Sequence, residues 1–357
     1  MHSGFLTALI DNIFCIKYFL KMILISYFIF MPNFSFCQER PNSFSLYFEN
    51  DVFAHTDKNY TNGVKFSWLS PDFIDYEKSG YFPDWSLPYL KYFSFMNNEG
   101  FKHNVGFSLA QKMFTPEDIS ENELIENDRP YAGWTYFGTT LHSKTKNNLH
   151  SMGIQLGIVG PLSHADETQI LVHQQTGSQR PNGWDNQLEN EPGLVVIYEH
   201  KTRFIEKETI SSLDFDVIPY FSSALGNIYT YAGIGTECRI GWNIPKDFGT
   251  ARIRPAEYSG TPIKARKFNF SKTDGLGLYL FTSVTGAAIC RNIFLEGNTF
   301  SKSHSVDKNL FVANIGAGIC VIIHRFKLSY THIIQTKEFK EQERNQSFGS
   351  IVLSFTY

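Results

Sequence analysis

The sequence predicts an all-β protein: a transmembrane antiparallel β-barrel of about 12 strands, with a short helix in an extracellular loop. Segments of alternating apolar and polar residues recur along the chain, and a period of two is that of a β-strand. Phe, Tyr and Trp make up 16% of the residues, and aromatic girdles mark both membrane interfaces of such barrels. An export signal begins the chain, and no later stretch approaches the roughly 20 apolar residues of a spanning helix.

The export signal comprises residues 1–37. Lys17 and Lys21 precede an apolar run at 23–31, and a weakly polar stretch follows that run. A positive, then an apolar, then a polar segment is the order found in secretory signal peptides. The apolar run is too short to serve as a membrane anchor. We therefore expect one mature barrel domain over 38–357.

The N-terminal residues, the cysteines and the net charge give further information on the class of protein. Met22 is an alternative start of translation, and Cys37 lacks the small preceding residue that is usual in lipoproteins. Cys238, Cys290 and Cys320 are odd in number and without metal-site spacing, so neither a disulfide framework nor a zinc site is implied. A net charge of −3 offers no basic surface for nucleic acid.

The alternating segments define the expected strands. Turn residues separate several of them, and the last segment ends on an aromatic residue, as is common in outer-membrane barrels. A soluble secreted β-sandwich also alternates and is the alternative fold. The expected strands are 43–50, 61–70, 103–112, 132–143, 149–159, 193–201, 213–223, 228–242, 276–291, 309–323, 325–335 and 348–357.

An even number of strands assigns each connection to one end of the barrel. If the first strand runs outward, the loops 51–60, 113–131 and 160–192 share the extracellular end, and they hold the densest polar clusters. Within the third loop, 164–176 is helical in pattern, with Ser163 and Asp166 spaced as a capping box and Gly177 as the stop. The long connections 71–102 and 243–275 then fall on the periplasmic side, where short turns are the rule.

The first polar cluster lies at the rim of the first hairpin. Apolar residues take the even positions in both strands, so Asp51 and Thr61 share the odd, polar face. With Asn50, they offer carboxylate, hydroxyl and amide oxygens, which suit a hard cation such as calcium. Asn and Asp also favour turns, and the residue types alone favour that interpretation.

The second and third clusters lie in the next two loops. Asp128 and Arg129 in the second loop either orient a ligand or pair with each other inside the barrel, and the structural role is favoured. In the third loop, His173 precedes Gln179 and a polar stretch at 183–192. Imidazole is the side chain whose ordinary pKa allows general-base chemistry near neutrality. A single histidine is more often a surface or packing residue, so His173 gains weight through its neighbours.

These clusters, in this order, resemble the outer-membrane lipid A 3′-O-deacylase family. The resemblance covers nearly the whole mature chain, and its specificity comes from several ordered motifs together. The matching pieces are Glu49-Asn50-Asp51, Tyr60-Thr61-Asn62-Gly63, Asn127–Trp134, Gly157-Ile158-Val159-Gly160-Pro161, His173, Gly183-Trp184-Asp185-Asn186-Gln187, Leu295-Glu296-Gly297-Asn298 and Glu338-Phe339.

The resemblance implies a 12-stranded barrel in the cell outer membrane. It also implies a calcium-dependent ester hydrolase that removes the 3′-acyloxyacyl chain of lipid A. His173 matches the residue that activates water, Asp51 a calcium-associated carboxylate, and Asn50 and Thr61 polar active-site positions. By parity Asn50 faces lipid, so a bulge or strand end is expected to turn it inward.

Gln179 departs from the family pattern, in which a glutamate ligand follows the histidine six residues later. An amide offers calcium an oxygen without charge, so Gln179 is a weaker metal ligand, and Asp185 or Glu189 are alternative carboxylates. The expected partners are lipopolysaccharide as substrate and outer-membrane lipids, with the chain a monomer. The alternatives are a phospholipase-type barrel esterase and a non-catalytic barrel that acts as a channel or structural protein.

Overall fold

A single antiparallel sheet of thirteen strands closes on itself in the computed structural model, which describes residues 42–51, 59–97, 100–210, 213–250 and 275–357. The predicted signal peptide lies outside these residues. The strands are β1 (Ser43–Asn50), β2 (Asn59–Leu69), β3 (Lys102–Thr115), β4 (Ala132–Lys144), β5 (Asn148–Val159), β6 (Glu191–Thr202), β7 (Phe204–Ile210), β8 (Leu213–Gly226), β9 (Tyr229–Trp242), β10 (Leu276–Asn292), β11 (Phe311–Ile323), β12 (Phe326–Gln335) and β13 (Gln346–Thr356).

Strands β6 and β7 together form one strand of the barrel. Both pair with β8 in one register, because Lys201 lies opposite Tyr220 and Phe204 lies opposite Val217. Arg203 alone separates them. With β1 paired to β13, the sheet is a closed antiparallel barrel of 12 strands, as predicted from the alternating segments.

Side chains alternate between the lumen and the outer wall. In β1 the odd-numbered residues are buried and the even-numbered ones are partly exposed. Lumen positions carry polar and charged residues such as Glu49, Lys65 and Lys112. A polar lumen inside an apolar wall is the pattern of an outer-membrane barrel. Exposed apolar residues of the wall include Phe66, Phe107, Leu109, Phe137, Ile154, Leu156, Leu194, Ile234, Leu278, Leu280, Ile315 and Ile319.

Hairpin connectivity places the three polar loops at one end, as predicted. We call this end, which carries the β1–β2, β3–β4 and β5–β6 connections, the loop end; the opposite end, where β1 begins and β13 ends, is the terminal end. The second and third loops bind each other directly. The Asn182 backbone N–H donates to the Ile119 carbonyl (2.9 Å), and the Asn186 amide donates to the Asn122 carbonyl (2.7 Å).

An aromatic plug fills the lumen at the loop end. Phe114 stacks on Phe294 with ring centroids 4.1 Å apart, and Trp134 stacks on Tyr136 at 4.3 Å. All four side chains are buried, together with Tyr60. Phe294 belongs to a one-turn helix in the β10–β11 connection that folds into the barrel. The packing fills the lumen with aromatic side chains at this level.

Short helices occur in the connections. No helix among the described residues has the length and apolar character needed to cross a bilayer. The α-helices are α1 (Leu87–Leu90), α2 (Ser94–Asn97), α3 (Ala165–Thr176) and α4 (Ile293–Glu296), and 3-10 turns occur at Asp84–Ser86, Pro161–Ser163 and Trp184–Asn186.

The two long connections at the terminal end are not turns, which accounts for their length. Residues 70–101 fold back onto the outer wall, where Phe73, Tyr76 and Met96 pack on Val105 of β3. Residues 243–250 instead reach the lumen, where Asp247 pairs with lumen-facing cations. The rest of this second connection, 251–274, lies outside the described residues.

Candidate active site

Four strands present a row of outward-facing residues at the loop end. Asn50 of β1 lies opposite Asn62 of β2, Asn62 opposite Met113 of β3, and Met113 opposite Gly133 of β4. All four have the parity of the lipid-facing wall, yet Asn62, Met113 and Gly133 are buried. Something therefore covers the outside of the barrel at this height.

Helix α3 lies against this part of the wall. The Ser163 carbonyl accepts hydrogen bonds from the Gln111 amide (2.8 Å) and the Thr135 hydroxyl (2.7 Å), both on outward positions of β3 and β4. Gly133 makes the approach feasible, because a Cβ atom there would overlap Ser163 and Ala165. The helix thus begins on the outer wall and not above the lumen.

The helix begins and ends close to the predicted bounds. Gly177 takes the left-handed conformation, at φ 72°, and its N–H bonds the His173 carbonyl, as expected for a helix stop. The predicted capping box is wrong. His164, at φ 55°, precedes the first helical residue, and no side chain caps the helix there. The Ser163 carbonyl is bound to the barrel wall, so this residue tethers the helix and does not cap it.

One face of α3 is buried and the other is exposed. Ala165, Gln169 and His173 follow one another at intervals of four residues and are the buried residues of the helix. Ala165 belongs to an apolar cluster with Met113 of the wall, and the Trp184 indole N–H donates to the Gln169 amide oxygen (2.7 Å). The opposite face carries exposed apolar residues, among them Leu171 and Val172.

His173 has one ring nitrogen engaged. Its side chain is buried, at 8% exposure, and Nδ1 lies 2.5 Å from the main-chain oxygen of Gln179. A carbonyl oxygen only accepts hydrogen bonds, so Nδ1 carries the proton in this contact. In the neutral ring Nε2 is then the unprotonated nitrogen, which is the form a general base needs.

Asp51 and Thr61 lie level with each other at the end of the first hairpin. The paired residues of β1 and β2 end with Asn50 opposite Asn62. Asp51 and Thr61 are the next residues along these two strands, so they lie opposite each other. Both side chains are buried. The β2–β3 pairing slips at Thr61, and this bulge brings its hydroxyl 2.7 Å from that of Thr115, a residue with the outward parity of Met113.

The expectation that Asn50 is turned inward is not met. Asn50 keeps the outward parity of β1 and is half-buried at the end of that strand. The bulge lies instead on β2, where it brings Thr61 towards the outer face. Thr61 and Thr115 thus lie towards the outer face of the wall, the face on which α3 packs at Met113 and Gly133.

The donor set of this hairpin fits a hard cation. Asn50, Asp51 and Thr61 offer an amide oxygen, a carboxylate and a hydroxyl within two adjacent strand ends, and these are ligand types that calcium takes. Within the described ranges no group of three or more His, Cys, Asp and Glu could hold a metal. The Gln179 side chain is exposed, and its main-chain oxygen holds His173. Gln179 as a metal ligand stays a prediction.

The second polar cluster has a structural role, as favoured, but with a different pairing. The buried Arg129 guanidinium binds Glu338 of the β12–β13 connection (2.5 Å), not Asp128, and lies over the rings of Phe114 and Phe339. Asp128 accepts the backbone N–H of Glu117 (2.6 Å) and of Arg129 (2.7 Å). Burial raises the pKa of the Asp128 carboxyl above its usual value.

Several residues of the site were not singled out from the sequence. Gln169 was detectable, because it precedes His173 by one helical turn on the same face. Gly133 and Trp184 lie within motifs that were recognised, but no role was assigned to them. Asn62 likewise lies within a recognised motif without an assigned role. Met113 carries no local signal, since only the register of β3 and β4 brings it beside Gly133, where α3 packs.

The closed 12-stranded barrel, with its apolar wall and polar lumen, defines a class of protein: the outer-membrane β-barrel. The chain belongs to the family described as outer membrane protein LpxR, whose sequence model matches residues 22–357. It is accordingly an outer-membrane protein.

Two solved structures match this chain, and the first of them shares its fold. LpxR from Salmonella typhimurium is 18% identical and superposes with a TM-score of 0.64 over 88% of this chain and 100% of its own. The beta domain of the Bordetella autotransporter BrkA is 8% identical and gives a TM-score of 0.41 over 89% of this chain and 98% of its own. Comparison with curated protein sequences gives no match.

Proposed function

We propose that the protein is a lipid A 3′-O-deacylase, an ester hydrolase that acts on lipopolysaccharide in the outer leaflet. The observation that carries the proposal is that α3 begins on the outer wall at the loop end and buries His173 on the same face as Ala165, which packs on that wall. A base in the lumen would be out of reach of a lipid. A base on the outer wall is open to a substrate that diffuses within the membrane, because the ester bonds of lipid A lie at the boundary of headgroups and acyl chains.

The length of α3 supports the proposal that His173 lies close to Asn50, Asp51 and Thr61. Strands are spaced by about 4.8 Å, so Gly133 and Asn50 are about 14 Å apart across the wall. Eight residues of helix, from Ala165 to His173, rise about 12 Å. A helix that starts over Gly133 and crosses towards β1 therefore brings its imidazole close to Asn50, Asp51 and Thr61.

Hydrolysis by these residues begins with His173. Nε2 takes a proton from water as the water oxygen bonds to the acyl carbon, while the Gln179 carbonyl keeps the ring oriented through Nδ1. The carbonyl oxygen gains negative charge, and the Asn50 amide and the Thr61 hydroxyl are the donors suited to stabilise it. The C–O ester bond then breaks. The proton on Nε2 passes to the departing sugar oxygen, which leaves the free fatty acid and an alcohol.

A calcium ion suits the same site. Asp51 would hold it with the neighbouring amide and hydroxyl oxygens, and when bound it supplies positive charge beside the ester carbonyl. Because this set contains one carboxylate, we expect modest affinity. Treatment with a chelator should therefore reduce deacylation, and added calcium should restore it. Activity that is unchanged after exhaustive chelation would remove the metal from the proposal.

The decisive experiment is mass spectrometry of lipid A from cells that express the protein or the His173→Ala variant. We expect loss of the 3′-acyloxyacyl group with the natural protein and intact lipid A with the variant. His164→Asn is the matched control, because His164 is an exposed histidine at the start of the same helix and asparagine tolerates its left-handed backbone. Unmodified lipid A together with deacylated phospholipid would point instead to a phospholipase.

The non-catalytic channel is disfavoured by the aromatic plug of the lumen. Phe114, Trp134 and Phe294 are buried against one another at the loop end, and this cluster obstructs a path for ions through the lumen. Planar-bilayer recordings should accordingly show no steady conductance. Conductance without any release of fatty acid would contradict the enzymatic proposal.

A further inference from the structure

The β2–β3 connection forms a strap on the outer wall at the terminal end. We use this name for residues 70–101, of which 98 and 99 lie outside the description. Its apolar side chains pack on wall positions that share the outward parity of the lipid-facing Phe107 and Phe137. They are Phe73, Tyr76 and Met96, together with the partly buried Tyr81, Phe82, Leu87, Leu90, Phe93 and Phe95, against Val105 and Leu141.

Specific contacts tie the strap across four strands. Tyr81 lies beside Trp68 of β2, with ring centroids 6.2 Å apart, and Phe95 stacks on His150 of β5 at 5.5 Å. The Ser143 hydroxyl of β4 donates to the Phe95 carbonyl (2.6 Å). The strap is therefore part of the folded wall and has a defined outer side.

The start of the strap is fixed electrostatically at the rim. Asp72 binds Lys144 (2.7 Å) and accepts a hydrogen bond from the Asn104 amide (2.9 Å). Burial of Asp72 would raise the pKa of its carboxyl, but Lys144 and Asn104 outweigh burial and hold that pKa below its usual value. We expect these charged residues to lie at the boundary between the membrane and the water at the terminal end.

The outer side of the strap carries large exposed apolar residues, most of them aromatic. The exposed fractions are 76% for Ile74, 74% for Trp85, 64% for Tyr89 and 85% for Tyr92. Charged residues stand among them, and Lys91 pairs with Glu77 at 3.1 Å. Trp and Tyr mixed with charged side chains are typical of segments that lie in a membrane interface, because the rings suit the headgroup boundary while the charges stay in water.

We propose that the strap is a membrane-interface anchor, seated in the headgroup region of the periplasmic leaflet with Trp85, Tyr89 and Tyr92 at the boundary with the acyl chains. The occupant is a glycerophospholipid surface because the strap continues the lipid-facing wall: its inner side covers that wall, and Trp68 and Phe107, stacked at 5.8 Å, border it. A patch bordered by the lipid-facing wall adjoins lipid at its edges.

Depth-dependent quenching of Trp85 tests the anchor. The full-length protein is reconstituted in vesicles of phosphatidylethanolamine and phosphatidylglycerol that contain brominated phosphatidylcholine, and iodide is loaded on both sides. The emission of Trp85 is obtained by subtracting the fluorescence spectrum of the Trp85→Phe variant from that of the natural protein. We expect bromines near the headgroups to quench it at least about twofold more than bromines at the chain ends, with little quenching by iodide.

Trp242 provides the matched reference. It is a partly exposed, outward-facing residue at the terminal end of β9, so its emission, obtained with Trp242→Phe, should also respond to bromine. The anchor is refuted if iodide quenches Trp85 and bromine does not, while bromine quenches Trp242 in the same vesicles.

A photo-cross-linker at position 92 separates lipid from protein as the occupant. Tyr92→benzoylphenylalanine in living cells should give lipid adducts and no discrete protein band. A single protein adduct of defined mass at this position would show that a periplasmic protein covers the strap, which overturns the proposal.

Discussion

At the scale of single residues, the bulge at Thr61 is the feature that shapes the site. Regular alternation would have sent this side chain into the lumen with Gly63 and Lys65. The extra residue in β2 brings its hydroxyl instead to Thr115, on the outer side of β3. One residue thus brings a donor to the wall that α3 covers.

Replacement of Thr61 by valine tests whether its hydroxyl acts on the substrate. Thr61→Val and Thr115→Val each remove one hydroxyl and so break the same hydrogen bond, which costs each variant about 1 kcal/mol of stability. If Thr61 stabilises the oxyanion, deacylation by Thr61→Val alone should fall about 100-fold. Equal rates of lipid A deacylation by the two variants would reduce Thr61 to a structural residue.

Gly133 is a second residue whose role is spatial. A methyl group there would overlap Ser163 and Ala165, so Gly133→Ala should displace the start of α3 from the wall. Displacement of a catalytic base by about 1 Å can cost about 100-fold in rate, and we expect a loss of at least about tenfold.

Gly286→Ala is the control for Gly133→Ala. Gly286 lies in β10 with no atom near its missing side chain, so this variant should keep full activity. Both barrels should migrate as folded protein in unheated gels. Normal lipid A deacylation by Gly133→Ala would mean that the helix can move without consequence.

At the scale of elements, the loops of the loop end hold one another in place. The second and third loops share backbone contacts, and His304 of the β10–β11 connection bonds the Asp128 carbonyl (2.7 Å). Arg129 adds the β12–β13 connection through Glu338. The platform that carries α3 therefore depends on a buried ion pair far from His173 in sequence.

Removal of one partner of that ion pair should be costly. Glu338→Ala leaves the fully buried Arg129 guanidinium without the carboxylate that the structure pairs with it, and we expect the free energy of unfolding to fall by about 3 kcal/mol. Urea unfolding in detergent, followed by tryptophan fluorescence, measures the change.

Asp307→Ala is the control for Glu338→Ala. It breaks an ion pair of the same end, with Lys340 at 2.9 Å, but both side chains are exposed and water replaces the contact. Its unfolding midpoint should not move. Equal midpoints for the natural protein and Glu338→Ala would contradict a structural role for the buried pair.

At the scale of the whole molecule, side chains fill the lumen from both ends in the part of the chain that the structure describes. The aromatic plug lies at the loop end, and residues 243–250 bring Asp247 to lumen-facing cations from the terminal end. There Asp247 binds Lys327 (2.7 Å) and Arg239, while the Asp247 carbonyl accepts from Arg203 (3.1 Å). The barrel is thus a filled scaffold, which agrees with the proposal that the chemistry takes place on its outer surface.

The Asp247 network predicts how stability depends on pH. Burial would raise the pKa of Asp247, but Lys327 and Arg239 lower it from 3.8 to about 2. Because the folded-state pKa is below the unfolded one, its contribution is complete above about pH 4 and is lost as the pH falls through about 2. The urea midpoint of the natural protein should fall over this range.

Asp247→Asn should have a lower urea midpoint at neutral pH and a smaller further decline in acid, since the titrating group is absent. A parallel decline of both proteins would assign the acid sensitivity to other carboxyl groups.

The alternation of residues was sufficient to predict the strands, their number and the shared end of the three polar loops. This information is local: a period of two, turn residues and a parity count need no knowledge of packing. The same holds for the bounds of α3, set by periodicity and Gly177. His173, Asp51, Thr61, Asn50 and Gln179 were singled out because their motifs are contiguous in the chain.

The face of the wall that the candidate site adjoins was decided only by the tertiary structure. A bulge at Thr61 reverses the parity of one side chain, and strand register aligns Asn50, Asn62, Met113 and Gly133 in one row. A helix from another loop packs on this row at Met113 and Gly133. Likewise, the sequence showed that the β2–β3 connection is long, but only its packing on β2–β5 shows that it forms a strap. Sequence periodicity reports two faces of a sheet, but what covers each face depends on contacts between residues distant in the chain.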